Sequence, residues 1–311
     1  WTGSRGNSAK QDKAGGGHAH VGAMIYLADN WPKEYRSMIG MCNVHGQRLN
    51  FDKLERKGSG YVGRRSHDLF FANDDWFRGI TVKYGPDGGV YISDWCDYGE
   101  CHDNDGVHTH SGRIYKVVYG ETRKPKISDL AKLPDKELLG LLSHTNQWYS
   151  RRAQRILQER AAAGDDLSDV GSYLKTVVEL STKIAEHEES HESRTELQSL
   201  LALHAIGEAD EAFLLQRLKS RNVHVRKWAI RLLVEDDHPS DEALNLFVEM
   251  AVSDPSPMVR LELASALQRI RVAARWPIAE GLVSHDEDNE DHNLPLMIWY
   301  GLEPAVAADK E

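Results

Sequence analysis

The spacing of apolar residues changes once along this chain, near residues 121–128, and that change limits the folds it can adopt. Before Gly120, short β-branched and aromatic runs alternate with Gly, Asn, Asp and Pro, a pattern typical of strands and turns. From Ser128 onward, apolar residues recur every three or four positions, a pattern typical of helices buried on one side. We therefore expect a β domain over residues 1–120, a linker over residues 121–127 and a helical domain over residues 128–311.

The β region contains five predicted strands. Pro86-Asp87-Gly88-Gly89 lies between two of them and predicts a hairpin turn, because Pro presets φ and Gly accepts positive φ. The predicted strands are Ala23–Leu27, Met38–Val44, Ile80–Tyr84, Val90–Trp95 and Ile114–Tyr119. Sequential strands joined by such turns indicate antiparallel sheets.

The helical region repeats itself. Ser220–Ala229 and Ser253–Glu262 share a polar turn, then Val-Arg, then an apolar helix, at about the spacing of a HEAT repeat. Stacked helix pairs of this kind bury a continuous core. We predict that Val225 and Val259 point into that core, whereas the following arginines, Arg226 and Arg260, face the turns between repeats.

Charge and composition exclude some functions. With 48 acidic and 38 basic residues the formal net charge is −10, which argues against a nucleic-acid partner. No apolar run is long enough for a transmembrane segment or a signal sequence, and residue 1 is Trp, so we expect the natural start to lie further upstream.

Several segments resemble a known family. His18–Tyr26, Asn30–Arg36 and Val44–Arg48 are similar to the closing blades of soluble sugar and sorbosone dehydrogenases. A longer set resembles the membrane-bound dehydrogenase domain proteins of planctomycetes, in which a β-propeller precedes HEAT-like repeats and often a cytochrome c module. This set comprises Gly58–Arg64, Ala72–Gly79, Lys83–Tyr91, Asn146–Trp148, Ala153–Arg155, Leu203–Ala205 and Leu296–Pro304.

The resemblance implies a fold and an activity. Roughly 100 residues of β structure supply two or three four-stranded blades, so the expected architecture is a partial β-propeller followed by a HEAT-like solenoid. The implied activity is oxidation of a sugar or polyol by a periplasmic or otherwise exported, membrane-associated enzyme that binds pyrroloquinoline quinone (PQQ) and passes electrons to haem c. The chain has no C-x-x-C-H motif, so haem c is not expected within it.

The same resemblance implies candidate site residues near a propeller axis. His18, His20 and His45 are the candidate catalytic residues, since His can take a substrate proton. Arg48 and Arg78 are the candidate cofactor-binding residues, since Arg pairs bidentately with carboxylates. The alternative is that these side chains hold turns together by hydrogen bonds.

A dense polar loop, Asp94–His108, offers a candidate metal site. Asp103 and Asp105, with Asn104 between them, could supply oxygen ligands to calcium. A solvated loop and a Cys96–Cys101 disulfide are the alternatives.

Three further patterns favour structural interpretations. His187–His191 matches H-E-x-x-H, but its charged surroundings indicate a coincidence rather than a zinc site. Trp148, Trp228, Trp276 and Trp299 indicate packing in the repeat core, and the acidic run Asp286–Asp291 indicates a solvated loop.

Two functions remain open from the sequence. One is the quinone-dependent dehydrogenase, to which this chain would contribute only part and be inactive alone. The other is a carbohydrate- or protein-binding scaffold without redox chemistry, whose partner docks on the HEAT-like repeats.

Overall fold

The computed structural model describes residues 19–97, 110–122, 124–125, 129–184 and 190–308. Its strands, in chain order, are β1 His20–Ile25, β2 Ile39–Asn43, β3 Arg48–Lys57, β4 Gly60–Phe71, β5 Gly79–Tyr84, β6 Val90–Asp94 and β7 Arg113–Val117. They form a four-stranded sheet in the order β1-β2-β3-β4 and a three-stranded sheet in the order β5-β6-β7. Each sheet is a small meander of sequential strands.

The two sheets enclose one core. Its fully buried members come from both sheets, among them Cys42, Leu49 and Phe51 from the first and Val82 and Ile92 from the second. The backbones approach closely at Gly22, which has φ of +64°; a Cβ there would lie 2.3 Å from the carbonyl oxygen of Ile80. Only glycine fits this crossing of β1 and β5.

The helical region begins with α1 Asp135–Leu141 and ends with α10 Leu294–Ala308. The helices between them are α2 Gln147–Ala163, α3 Ser168–Ile184, α4 His191–Ala205, α5 Glu211–Arg217, α6 Val223–Leu233, α7 Asp241–Ser253, α8 Pro257–Ala266 and α9 Arg275–Val283. From α6 onward, each helix packs on the helix two further along the chain: α6 on α8, α7 on α9 and α8 on α10. This two-layer stacking is the architecture of a helical solenoid.

Side-chain caps set where several of these helices begin. Asp210, Asn222 and Ser240 each precede a helix, and the side-chain oxygen of each accepts a hydrogen bond from a backbone N–H of the first turn. These polar turns separate the apolar helices and produce the repeat seen in the sequence.

The contacts divide the chain into two compact units. The first, called the β unit, takes in the described parts of Trp1–Glu55, Val62–Leu130 and His144–Arg152. The second, called the helical unit, takes in those of Arg56–Tyr61, Ala131–Ser143 and Ala153–Glu311. The tip of the β3–β4 hairpin therefore belongs to the helical unit.

The predicted change from strand to helix is confirmed, since the last strand ends at Val117 and the first α-helix begins at Asp135. Each of the five predicted strands overlaps an observed strand, but β3 and β4 were not predicted. The prediction that the tryptophans pack in the repeat core is wrong for at least three of the four. Trp148 packs on the core of the β unit, and Trp276 and Trp299 are exposed.

Candidate functional site

One end of the four-stranded sheet carries a row of polar side chains. The strand register sets His20 opposite Asn43, and Asn43 opposite Arg48. Asn50 lies on the same face of β3 as Arg48, because side chains alternate along a strand. Asp68 of β4 accepts hydrogen bonds from both Asn50 and Arg48. We call these five residues the polar row.

The hydrogen bonds of the polar row favour one arrangement of donors and acceptors around His20. The Oδ1 atom of Asn43 accepts the N–H of Gly46 at 2.7 Å, so its Nδ2 is the donor and lies 3.0 Å from Oδ1 of Asn50. Nδ2 of Asn50 donates to Asp68 at 2.5 Å. Oδ1 of Asn50 is thus an acceptor 3.0 Å from Nε2 of His20, nearer than the Nδ2 donor of Asn43 at 3.4 Å, and the shorter contact favours a proton on Nε2. In the tautomer with the proton on Nε2, Nδ1 is an acceptor.

Asp68 anchors the row as an anion. Burial alone would raise the pKa of Asp68, but hydrogen bonds from Arg65, Asn50 and Arg48 outweigh burial and lower it below its usual value. Nδ2 of Asn50 is held by a carboxylate, which orients the amide oxygen toward His20. Such an outer partner fixes both the tautomer and the ring orientation of a histidine.

The polar row offers one candidate proton acceptor, Nδ1 of His20. His20 is exposed, and its Nδ1 makes no hydrogen bond to any residue that the structure describes. An imidazole held in one orientation with a basic nitrogen toward solvent can accept a proton from a bound hydroxyl group. Of the three candidate catalytic histidines, His20 alone is seen in this setting: His45 is half-buried after β2, and His18 lies outside the described residues.

The two candidate cofactor-binding arginines serve the fold. Arg48 donates to Asp68 and to the carbonyl of Gly46, both at 3.0 Å, and its guanidinium lies over Phe71. Arg78 is buried and donates to the carbonyls of Asp75 and Phe77. Because these guanidinium groups are engaged within the protein, the pair does not fit the carboxylates of PQQ.

The candidate metal ligands, Asp103 and Asp105, lie outside the described residues. Within the described ranges, no three His, Cys, Asp or Glu side chains are placed to hold a metal ion. Cys96 is a buried free thiol, and Cys101 is also outside the described residues.

Sequence reasoning missed Asn43, Asn50 and Asp68. A signal was present around Asn50: in Leu49-Asn50-Phe51, strand alternation places the two apolar side chains on one face and the amide on the other. All three are buried, so the amide needs partners within the protein. A polar residue inside an apolar strand therefore indicates a network.

The helical unit contains a ladder of two Arg–Asp ion pairs whose aspartates are buried. Arg226 binds Asp254 through two bonds of 2.7 and 3.0 Å, and Arg260 binds Asp288 through two bonds of 2.5 and 2.7 Å. In each pair the aspartate lies 28 residues after the arginine. Val225 and Val259 are fully buried, which confirms the prediction made from the Val-Arg repeat. The prediction of a solvated acidic loop is wrong at Asp288, which is buried as the partner of Arg260.

A groove of 350 Å³ lies in the same unit. Leu214, Leu232, Leu233 and Pro239 form its buried apolar base, and Glu211, Glu235, Asp236 and His238 form its exposed rim. We call it the acidic groove. Its lining contains three carboxylates and neither Lys nor Arg, so it can accept a basic group attached to an apolar chain.

Among the described residues, no helix has the length and apolar character needed to cross a membrane. Comparison with known proteins finds family models that match two parts of the chain. Residues 2–121 match a domain of unknown function, DUF7133, and residues 211–292 match the HEAT repeats. No curated protein and no solved structure matches the chain. The acidic groove and both Arg–Asp pairs of the ladder lie within the residues that are similar to HEAT repeats.

Proposed function

We propose that the chain is a protein-binding scaffold whose HEAT-like repeats hold a basic, partly apolar segment of a partner in the acidic groove. The observation that carries this proposal is the composition of the groove, with a leucine-lined base below a rim of carboxylates. HEAT-like solenoids present extended surfaces of this kind to other proteins. Charge complementarity would supply orientation, and the apolar base would supply contact area.

The test uses two labelled peptides of equal length, one pairing Leu with Lys and Arg, the other pairing Leu with Glu. We expect fluorescence anisotropy to show binding of the basic peptide only. The triple variant Glu211→Gln, Glu235→Gln, Asp236→Asn should weaken that binding at least about tenfold. The control variant Glu242→Gln, Glu249→Gln, Glu280→Gln removes the same charge from exposed positions outside the groove. Equal weakening by both variants would contradict the proposal.

A second candidate function rests on His20. In this second function, the chain forms the closing blades of a propeller in an exported enzyme that oxidises a sugar or polyol. PQQ would be the electron acceptor, and a haem c module would lie beyond this chain. The four-stranded meander packed against a second meander supports the propeller, since neighbouring blades have this relation. The described residues contribute only the proton acceptor, Nδ1 of His20, and Arg48 and Arg78 are not assigned to the quinone.

His20→Gln in the full-length natural protein tests this second function. Glutamine keeps an N–H donor for Asn50 but has no basic nitrogen, so a role in catalysis predicts that kcat for sugar-dependent dye reduction falls by about 100-fold or more. His191→Gln, at the exposed first residue of α4, is the matched control. Unchanged kcat in the His20 variant would exclude His20 as the base.

A further inference from the structure

A second groove lies within the β unit and is not used by either proposed function. Ala23–Ile25 of β1 and Val82–Tyr84 of β5 form two of its walls, and Trp148, Arg151 and Arg152 of α2 form the third. Its volume is 460 Å³, which is within the range of small-molecule sites. We call it the cationic groove.

Three positive side chains line the cationic groove, and no carboxylate does. Lys83, Arg151 and Arg152 are exposed, and none of them forms an ion pair with a residue in the described part of the chain. Several other surface arginines have acidic partners, as Arg155 has in Glu159 at 2.7 Å. Three like charges around one concavity, in a chain whose net charge is −10, create a local positive potential that attracts an anion.

Tyr84 adds a neutral donor to this wall. Its side chain is buried, and its hydroxyl group has no hydrogen-bond partner among the described residues. Burial raises the pKa of Tyr84 above its ordinary value, against the opposing effects of Arg151 and Arg36, so the hydroxyl keeps its proton. A buried O–H group without a partner is unfavourable, and an oxygen atom of a ligand would satisfy it.

The remaining lining is apolar. Met24 and Val82 belong to the buried core, and the half-buried ring of Trp148 packs against that core. An indole ring offers a flat face to an aromatic or alkyl group. The groove thus combines cations, one hydroxyl donor and an apolar wall, as sites for amphiphilic organic anions do.

We propose that the cationic groove binds a small organic anion. A carboxylate or phosphate head lies among Lys83, Arg151 and Arg152, and an apolar body lies along Trp148, Met24 and Val82. Arginine suits such a head because its planar fork of N–H donors matches both carboxylate and phosphate oxygens.

Calorimetric titration of the 311-residue chain with three probes tests the proposal. The probes are 4-nitrophenyl phosphate, 4-nitrobenzoate and the neutral 4-nitrobenzamide. We expect at least one anion to bind with a Kd below about 1 mM, the amide to bind at least about tenfold more weakly, and anion affinity to fall with added salt. Tighter binding of the phosphate identifies a phosphate ligand, and tighter binding of the benzoate a carboxylate. Equal affinity for all three probes, or binding of none, would overturn the proposal.

Variants locate the binding. Arg151→Gln with Arg152→Gln should weaken anion binding about 10- to 100-fold, and Tyr84→Phe should weaken it by a smaller factor. Arg155→Gln removes one positive charge one turn further along α2 and should leave binding unchanged. Circular dichroism and Tm verify that each variant is folded. Anion affinity that is unaffected by the double substitution, or affected equally by Arg155→Gln, would place the site elsewhere and refute the assignment.

Discussion

At the scale of single residues, the ladder pairs show how one side chain can join successive repeats. The guanidinium of Arg260 is almost fully buried, binds Asp288 through two bonds and also donates to the carbonyl of Asp254 at 2.9 Å. Asp254 is itself the partner of Arg226. Asp254 also accepts the N–H of Ser256 in its own turn, and the two aspartates neutralise one half-buried and one buried cation.

Arg260→Met should destabilise the protein strongly, because it leaves the buried carboxylate of Asp288 without its cation. We expect the free energy of unfolding to fall by about 3–5 kcal/mol. Arg269→Met is the control: Arg269 pairs with Asp237 on the surface, where both side chains are more than half exposed, so the loss should be about 1 kcal/mol or less. Urea denaturation measures both, and equal losses would contradict the ladder's role.

The sequence predicted the arginines of the ladder but not their partners. The Val-Arg repeat involves neighbouring residues, so its periodicity alone indicates that the valine enters the apolar core and that the arginine faces the turn. Asp288 could not be distinguished from its exposed neighbours in the acidic run, because its burial depends on Arg260, 28 residues earlier. The same holds for Asp68, whose partners Arg48 and Asn50 lie on another strand.

At the scale of elements, the β3–β4 hairpin depends on its tip. Gly58 has φ of +54°, and the carboxylate of Asp291 accepts hydrogen bonds from the N–H of Ser59 at 2.8 Å and its hydroxyl at 2.6 Å. The same carboxylate accepts the N–H groups of Asn293 and Leu294, at the start of α10. One aspartate thus caps a helix and holds a hairpin turn.

Gly58→Ala should be more damaging than an ordinary glycine substitution. A Cβ at this position would lie 2.1 Å from Oδ2 of Asp291, whose carboxylate cannot move without losing its hydrogen bonds. Gly164→Ala is the control, since Gly164 also has a positive φ but no atom within 4 Å of its Cβ position. We expect Gly58→Ala to cost at least about 1 kcal/mol more in unfolding free energy. Similar losses would show that the carboxylate adapts.

The sequence did not reveal β3 and β4 because their patterns differ from those of the other strands. Leu49 and Phe51 alternate with polar residues, but the second half of β3 and the first half of β4 are rich in Arg, Lys and Glu. Most residues there are exposed or half-buried, so the spacing of apolar residues gives little indication of a strand. Backbone pairing across a tight turn, rather than apolar burial, defines this part of the hairpin.

At the scale of the whole molecule, we expect ionisable groups to limit the stability of the folded state at both ends of the pH range. In the helical unit, burial alone would raise the pKa of Asp291. Hydrogen bonds from Ser59, Asn293 and Leu294 outweigh burial and lower this pKa from 3.8 to about 2. Because this pKa is lowered, the ionised carboxylate of Asp291 stabilises the folded state fully above pH 3.8, and this stabilisation is lost as the pH falls toward about 2. Asp291→Asn should therefore lower the urea midpoint at pH 7 more than at pH 2. Asp286→Asn changes an exposed carboxylate and should lower the urea midpoint at neither pH.

We expect the alkaline limit to be set in the β unit, where Cys42 is fully buried in the core. Burial raises the pKa of the Cys42 thiol from 9.0 to about 12, because its thiolate would lack solvation. The folded state therefore holds this proton more tightly than the unfolded state, so stability is complete below pH 9.0 and declines as the pH rises toward about 12. Cys42→Ala should reduce the decline in urea midpoint between pH 9 and pH 11. Val82→Ala, which truncates a buried side chain of the same core that carries no ionisable group, should preserve it. An unchanged decline in the Cys42 variant would assign the alkaline limit to other groups, such as the buried hydroxyls of Tyr26 and Tyr84, whose pKa values burial also raises.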